Sequence, residues 1–343
     1  MSANSRLKFV ANLVPNHWCR LTVVSALLYP FSLVFRLLVW LRRLLFDGRI
    51  LLSVAMPVPV IVVGNLTVGG TGKTPLVVWM VRALKDIGRC PGVIVGGYGG
   101  SGTEPAAVAA GDDPRVCGDE AVLIAQLTDV PVWSGRQRVG AAQALLGAHP
   151  DCDVLICDDG LQHYRLRRDI EIAVEDERGM GNGFMLPAGP LREPANRLVD
   201  ARVLNSQNLL ESGKYRMRLE PAGFYRLDQA GTLIEASQFQ GKRLHALAGI
   251  GQPERFFATL RSLGLDATTH AFADHHDFQE SDLAFEDCEA LLMTEKDAVK
   301  CARFSRRFLC SSRYHLYALR VEARLDIEFL QFLEKRLNGL KIA

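Results

Sequence analysis

The residues Gly69-Gly70-Thr71-Gly72-Lys73-Thr74-Pro75 follow closely on an apolar, β-branched run, Val60-Ile61-Val62-Val63-Gly64-Asn65. Glycines in such a loop let backbone N–H groups turn inward around phosphate oxygens. A lysine neutralises phosphate charge, a threonine hydroxyl reaches Mg²⁺, and the start of a helix adds a favourable dipole. Strand, loop and helix signals agree, so the stretch reads as a nucleotide triphosphate site and not as a flexible turn with a solvated lysine. The strict pattern would carry glycine where Thr67 stands.

Three acidic clusters add chemistry to that loop. Asp158 and Asp159 directly follow the apolar run Val154-Leu155-Ile156-Cys157. Acids at the end of a strand, in a chain with a phosphate loop, are placed to hold Mg²⁺ directly or through water; the plainer alternative is a capped turn before Gly160. In Gly118-Asp119-Glu120, Asp119 has the chemistry of a base that accepts the proton of an alcohol attacking phosphorus, with helix N-capping as the alternative. In Asp274-His275-His276-Asp277 an acid beside imidazole raises its basicity or fixes its tautomer, whereas the His-x-His and His-x₃-His spacings of a zinc site are absent. The segment from Asn182 and Gly183 through Leu186-Pro187-Ala188-Gly189-Pro190-Leu191-Arg192-Glu193 is too rich in special backbone positions for a casual linker, and its arginine suits an anionic group. Arg136 and Arg138 come just after the apolar Val130 to Trp133 and are candidates for the same mouth. The second glycine loop, Gly96 to Gly102, lacks the features of a dinucleotide site.

The elements that must position these groups follow from punctuation and periodicity. Pro57 and Pro59 exclude a helix before Val60. Val60–Val63, Val93–Val95, Val130–Trp133 and Val154–Cys157 read as short buried strands. Helices are expected from Pro75 to about Lys85, from Gly118, and over Ala141–Leu146. This alternation predicts an α/β fold, a parallel sheet covered on both faces. Further on, Tyr215–Leu219 and Phe224–Leu227 look like a strand pair. Leu244–Ala248 and Leu291–Thr294 look like strands, and Pro253–Leu263 like a helix. The expected organisation is an N-terminal helical segment over residues 1–52, a phosphate-loop core over 53–207 and a smaller α/β domain over 208–343.

The chain has 343 residues, 48% hydrophobic and 23% charged, which describes a globular protein of about two domains. A net charge of +2 argues against a nucleic-acid binder that relies on a broad basic face. The eight cysteines show no Cys-x-x-Cys spacing and read as reduced thiols. The stretch from Leu21 to Leu41 is almost wholly apolar, is interrupted by Arg36, contains Pro30, and is closed by Arg42 and Arg43. It fits a helix lying in the membrane interface, with a spanning helix and a core helix as alternatives; a cleavable signal peptide fits poorly.

Several blocks resemble the signature of the tetraacyldisaccharide 4'-kinases, the lipid A 4'-kinases of Gram-negative bacteria. They are Gly64 to Pro75, Gly97-Tyr98-Gly99-Gly100, Gly118-Asp119-Glu120, Asp158-Asp159-Gly160-Leu161-Gln162-His163, Gly181-Asn182-Gly183, Leu186 to Glu193, Asp274-His275 and Met293-Thr294-Glu295-Lys296-Asp297-Ala298-Val299-Lys300. The blocks keep the family's order and span most of the chain, and the family also carries threonine at the place of Thr67. The resemblance implies two α/β/α domains joined by a two-stranded hinge, with the N-terminal helix helping to grip the lipid. It implies a membrane-associated enzyme, expected as a monomer, on the cytosolic face of the inner membrane. That enzyme would transfer the γ-phosphate of ATP to the 4'-hydroxyl of a tetraacylated glucosamine disaccharide 1-phosphate. Asp119 would be the base with His275 as its partner, and Lys73 and Thr74 the phosphate and Mg²⁺ residues. Asp158, Asp159 and Glu193 would be the acids near the metal, and Arg138, Asn182 and Arg192 would serve the substrate. One departure stands out: the family's second glycine loop carries an arginine where this chain has Gly96. A membrane-bound nucleotide switch is the rival reading, but it has no need of a second acid–base cluster.

Overall fold

The structure, a computed structural model, describes residues 17–102, 104–207, 211–311 and 314–340. The chain falls into two compact units that are interleaved in sequence, whereas the expected domains are contiguous stretches. Unit 1 comprises residues 1–73, 154–217 and 325–343; unit 2 comprises 74–153 and 218–324. The expected boundary at 207–208 adjoins 208–210, which lie outside the described residues.

Unit 1 is built on five parallel strands in the order β8–β7–β6–β1–β5: β1 (Val60–Gly64), β5 (Val154–Asp158), β6 (Ile170–Asp176), β7 (Ala201–Asn205) and the start of β8 (Tyr215–Arg226). Every residue of β1 and β5 is buried, as strands inside a parallel sheet require. The register sets Val63 opposite both Asp158 and Ile172, so the phosphate loop and the Asp158-Asp159 pair leave neighbouring strand ends on the same side of the sheet. Strand ends of a parallel sheet are where α/β folds gather their ligands.

Helix α1 (Val23–Asp47) also belongs to unit 1. Thr22 caps it, accepting from the Ser25 N–H while Ser25 Oγ accepts from the Thr22 N–H. Pro30 sits inside the helix and withholds one N–H from the preceding turn. The buried residues of α1 are Ser25 and Ser32, whereas Leu27, Phe31, Val34, Leu37, Leu38 and Trp40 are exposed. Its 25 residues exceed the about 20 that cross a hydrocarbon core. Among the described residues it is the one helix long and apolar enough to do so.

Unit 2 contains two groups of strands. β2 (Pro91–Val95) pairs in parallel with β4 (Val132–Ser134), and β4 pairs antiparallel with the two-residue β3 (Ala106–Ala107). The second group is a parallel set in the order β11–β10–β12–β13, formed by β10 (Leu244–Ala248), β11 (Ala267–Ala271), β12 (Ala290–Thr294) and β13 (His315–Leu325). The helices are α2 (Lys73–Asp86), α3 (Pro114–Cys117), α4 (Asp119–Leu127), α5 (Arg138–Ala148), α6 (Pro253–Ser262) and α7 (Glu295–Ser311), with α8 (Ile327–Asn338) closing unit 1. Phe224, Phe239, Phe257, Leu260 and Leu292 form one core cluster of unit 2. Phe278, Leu283, Leu291 and Cys301 form another. Among the cysteines, Cys117, Cys152, Cys157, Cys288 and Cys301 are buried and Cys19 and Cys90 exposed.

The alternating α/β architecture expected from the sequence is present, but one expectation needs correction. Tyr215–Leu219 and Phe224–Leu227 are not a strand pair; they lie in a single strand, β8, whose antiparallel partner is β9 (Gln229–Ile234). Pro221 and Gly223 imitate a turn, but the strand carries them through its solvent-exposed middle, where a missing donor is tolerated, with Gly223 at φ +127°.

Candidate active site

The candidate residues gather in two clusters, one in each unit. In unit 1, β1 ends at Gly64 and the loop returns to helix geometry at Lys73. Gly69 and Gly72 take φ of +102° and +97°, values that side chains resist. Three polar side chains brace the loop through its carbonyls: Asn65 Nδ2 donates to Gly69 O at 2.9 Å, Asn205 Nδ2 to Thr71 O at 2.9 Å, and Arg178 Nη2 to Gly70 O at 3.3 Å. Turning these carbonyls onto amide and guanidinium donors leaves the N–H side of the loop for an anion. Asp176, buried at the end of β6, holds Arg178 with Nη2–Oδ2 at 2.9 Å. Neither Asn205 nor Arg178 is marked by a sequence motif considered above; the signal available was a polar residue ending an apolar strand or following it.

Lys73 Nζ lies 3.3 Å from Asn65 Oδ1 and 3.7 Å from Asp159 Oδ1. Asp159 also pairs with Arg192 Nη1 at 3.1 Å. It adopts φ +47°, a strained value that an aspartate tolerates better than most residues. Its N–H donates to Asp158 Oδ1 at 2.9 Å, and Asp158 is fully buried. The fold therefore brings Lys73, Asp158, Asp159 and Arg192 together. Glu193 is buried, accepting from Tyr164 OH at 2.6 Å and pairing with Arg197 Nη1 at 3.0 Å. That buried carboxylate pushes the Tyr164 hydroxyl pKa upward, after burial itself.

No group of three His, Cys, Asp or Glu among the described residues is close enough to hold a metal on protein ligands alone. Mg²⁺ does not require one, since it keeps several waters and commonly takes one or two carboxylates together with substrate phosphates. Asp158 and Asp159 at the strand end fit that need as one or two carboxylates, and Glu193 has a buried Oε2 that makes no hydrogen bond.

Asn182 has a different occupation. Its Nδ2 donates to His17 O at 3.1 Å and Ala188 O at 2.8 Å, and its Oδ1 accepts the Phe184 N–H at 3.0 Å. In this structure its amide braces the 182–193 loop. The same loop receives α1: Ser32 Oγ donates to Met185 O at 2.8 Å, and Tyr29 packs on Phe184 with ring centroids 4.7 Å apart.

In unit 2, Gly118 at φ +91° precedes α4, and a Cβ there would meet Tyr98 O at 2.8 Å. A Cβ on Gly100 would meet Val116 O at 2.3 Å. The second glycine loop thus serves close backbone approach, and it delivers Asp119 as the first residue of α4. Asp119 Oδ2 lies 3.0 Å from His275 Nδ1, across 156 residues of sequence. His275 sits at φ +57°, and its ring is 6.4 Å from that of Tyr98. Burial alone would raise the Asp119 pKa; the His275 hydrogen bond and the nearby charges of Lys296, His275 and Lys300 outweigh it and hold the carboxyl below its usual value. The Asp119 hydrogen bond lifts the His275 pKa above its usual value, against burial and Lys296. Such a pair titrates as one unit. His276 instead bonds Asp282 at 3.0 Å. Thr74 and Pro75 occupy the first turn of α2.

Arg138 is buried at the start of α5 and donates Nη1 to Gly135 O at 2.8 Å. A Cβ on Gly96 would meet its Nη2 at 2.4 Å. The missing side chain at Gly96 is therefore matched by a guanidinium lying over that glycine.

The Tetraacyldisaccharide-1-P 4'-kinase family model matches residues 24–338. The tetraacyldisaccharide 4'-kinase of Azoarcus sp. (strain BH72) is 50% identical over 298 residues, covering 85% of this chain and 87% of that protein. The enzyme of the same name from Dechloromonas aromatica (strain RCB) is 48% identical over 324 residues, covering 92% and 94%. The crystal structure of the "apo" form of LpxK from Aquifex aeolicus in complex with ATP superposes with a TM-score of 0.77 at 28% identity, over 92% of this chain and all of that one. A match along nearly the whole length, in sequence and in fold, leaves one assignment: the chain belongs to the tetraacyldisaccharide-1-P 4'-kinase family.

Proposed function

We propose that this protein transfers the γ-phosphate of ATP to the 4'-hydroxyl of a tetraacylated glucosamine disaccharide 1-phosphate. The setting is the cytosolic face of the bacterial inner membrane. The observation that carries this reading is the Asp119–His275 pair at 3.0 Å, present in addition to the phosphate loop. A protein that only binds or hydrolyses ATP as a switch has no use for a buried carboxylate joined to imidazole. A kinase with an alcohol acceptor does, because the hydroxyl proton must leave as oxygen attacks phosphorus.

The roles follow from the chemistry of each group. The loop N–H groups and Lys73 bind the triphosphate and meet the charge that develops on the transferring group. Thr74, Asp158, Asp159 and Glu193 are the residues that would hold Mg²⁺, which when bound neutralises charge on the phosphate oxygens. Asp119 receives the acceptor proton, and His275 tunes and orients that carboxylate through its hydrogen bond. Arg192 supplies a cation for the anionic acceptor, and Arg138 is a second candidate for that role. Leu27, Phe31, Leu37, Leu38 and Trp40 present apolar surface to the acyl chains and the membrane.

The test is transfer of label from γ-labelled ATP to the acylated disaccharide phosphate by wild type, Asp119→Ala and Lys73→Ala. Transfer to lipid in the wild type and its loss in both variants is expected. Label appearing only in free phosphate would favour the switch, and a variant with wild-type transfer would lose its assigned role.

A further inference from the structure

One cation beside the Asp119–His275 pair has no role in the account above. Lys296, the second residue of α7, lies with Nζ 3.2 Å from Glu120 Oε1, 3.5 Å from His275 Nε2, 3.8 Å from Asp274 Oδ1 and 3.9 Å from Asp119 Oδ2. It is half-buried and touches groups from α4, from the 274–275 turn and from its own helix end. An ammonium only donates. Facing Nε2 at 3.5 Å, it makes that nitrogen the acceptor, so the neutral ring carries its proton on Nδ1, toward Asp119.

We propose that Lys296 is a positioning residue for the phosphoryl transfer. From α7 it fixes the Nδ1–H tautomer of His275 and holds Asp119 as the ionised partner, so the pair stands ready to accept the sugar proton. This rests on the function proposed above. The charged and titratable groups facing the pair are Glu120 on α4, Asp274 on the turn, Lys296 and Lys300 on α7, and the Tyr98 ring of the second glycine loop. Lys296 tips the balance among them because it sits against both members. A positive charge there opposes a second positive charge on imidazole and favours the negative one on the carboxylate. Its own pKa is shifted upward: burial works against the charged form, but Glu120, Asp119 and Asp274 together prevail. Lys296 therefore stays charged through the neutral range.

The experiment uses the full chain and the variants Lys296→Met, Lys296→Gln and Lys296→Arg. Two measurements are made: the pH profile of lipid phosphorylation, and titration of the His275 Cε1–H resonance by NMR, assigned with His275→Ala. Removing the charge should raise the His275 pKa and move the acid limb of kcat up by at least about half a pH unit, because both members lose a cationic neighbour. At pH 7 kcat should fall about threefold or more, with KM for ATP changed less than about twofold. Lys296→Arg should restore the limb. If Lys296→Met does not fold, the Gln and Arg variants carry the comparison. An unchanged His275 titration in the Gln variant overturns the inference, as does an acid limb that stays in place when the charge is gone. Wild-type transfer by Asp119→Ala would instead sink the underlying function, while the NMR titration would still report on the Lys296–His275 contact.

Discussion

Replacing Gly72 with alanine tests whether the loop before α2 is the preorganised anion cradle its hydrogen bonds describe. Two costs arise. Gly72 holds φ +97°, a region that charges a side-chain-bearing residue about 1–3 kcal/mol. The new Cβ would also lie 2.7 Å from Asn205 Nδ2 and 3.0 Å from Met217 Cε. Met217 can bend away, but Asn205 is buried and its Nδ2 is committed to Thr71 O at 2.9 Å. Displacing that amide leaves a buried donor or carbonyl unmet, a further cost of about 1–3 kcal/mol. The sum is about 2–6 kcal/mol. If the loop yields, ATP affinity falls by at least about thirtyfold, at 1.4 kcal/mol per decade. If the fold yields instead, the melting temperature drops by roughly 4 °C or more. Calorimetric ATP titration and thermal melts of Gly72→Ala, Asn205→Ala and the double variant separate these outcomes. The double variant should recover the steric part and keep the backbone part, a non-additivity expected of groups in contact. Gly72→Ala binding ATP within about threefold of wild type at an unchanged melting temperature would refute the reasoning, because costs of this size cannot vanish from both readouts.

Three further outcomes follow from the described geometry. His275→Ala should lower kcat by about 10²–10⁴. The wild-type acid limb belongs to the coupled Asp119–His275 pair, in which the imidazole pKa is raised above its ordinary ~6.5, so activity is gained as pH rises through the titration of the pair. The variant's limb should drop toward the carboxylate range near ~4, read from pH–rate profiles. Gly96→Ala should push aside the Arg138 guanidinium, raising KM for the acylated acceptor about tenfold while KM for ATP holds, at about 1.4 kcal/mol for a charge-assisted contact; steady-state kinetics with each substrate varied checks it. Arg197→Met should cost about 3–5 kcal/mol by leaving the buried Glu193 without its cation, while Glu171 keeps Arg168, seen as a melting temperature lower by at least about 6 °C. Adding Glu193→Gln should return part of that loss.

Legibility from sequence was uneven, and the reason is physical. β1, the glycine loop and α2 are local: an apolar run, glycines at positive φ and a lysine at the helix start lie within 27 residues, Val60 to Asp86. Strands buried on both faces announce themselves by continuous apolar runs, so β5, β10 and β12 were readable. β8 was not, because Pro221 and Gly223 carry turn chemistry into the solvent-exposed centre of a strand. In the candidate site, residue types and family resemblance marked Asp119 and His275 as a pair; the fold's contribution is a contact across 156 residues that no spacing rule could give. Lys296 was visible as part of a motif but without a role, since its role depends on α4 and the 274–275 turn arriving at the same helix end. The bracing of Asn182 against His17, and of Glu193 against Arg197 and Tyr164, was likewise hidden, because buried polar partners are chosen by tertiary packing.

Helix α1 inverts the usual rule for a helix on a globular protein. Ser25 and Ser32 are buried against the protein, while Leu27, Phe31, Leu37, Leu38 and Trp40 face outward. An aqueous helix arranged this way would expose a large apolar patch at a cost that scales with its area. In a membrane interface the same arrangement is the stable one, because the apolar side meets acyl chains and the hydroxyls find carbonyl partners in the protein. The partner of Ser32 is Met185, and that loop continues to Arg192, which pairs with Asp159 beside Lys73. One loop therefore joins the helix with the outward apolar side to the cluster around Lys73 within a single unit. For an acceptor carrying four acyl chains, this coupling is what the proposed chemistry needs: the chains stay in apolar surroundings while the sugar is brought to the charged site. A soluble kinase fold would have to extract the whole lipid, at about 0.8 kcal/mol for each methylene drawn into water, before transfer could begin.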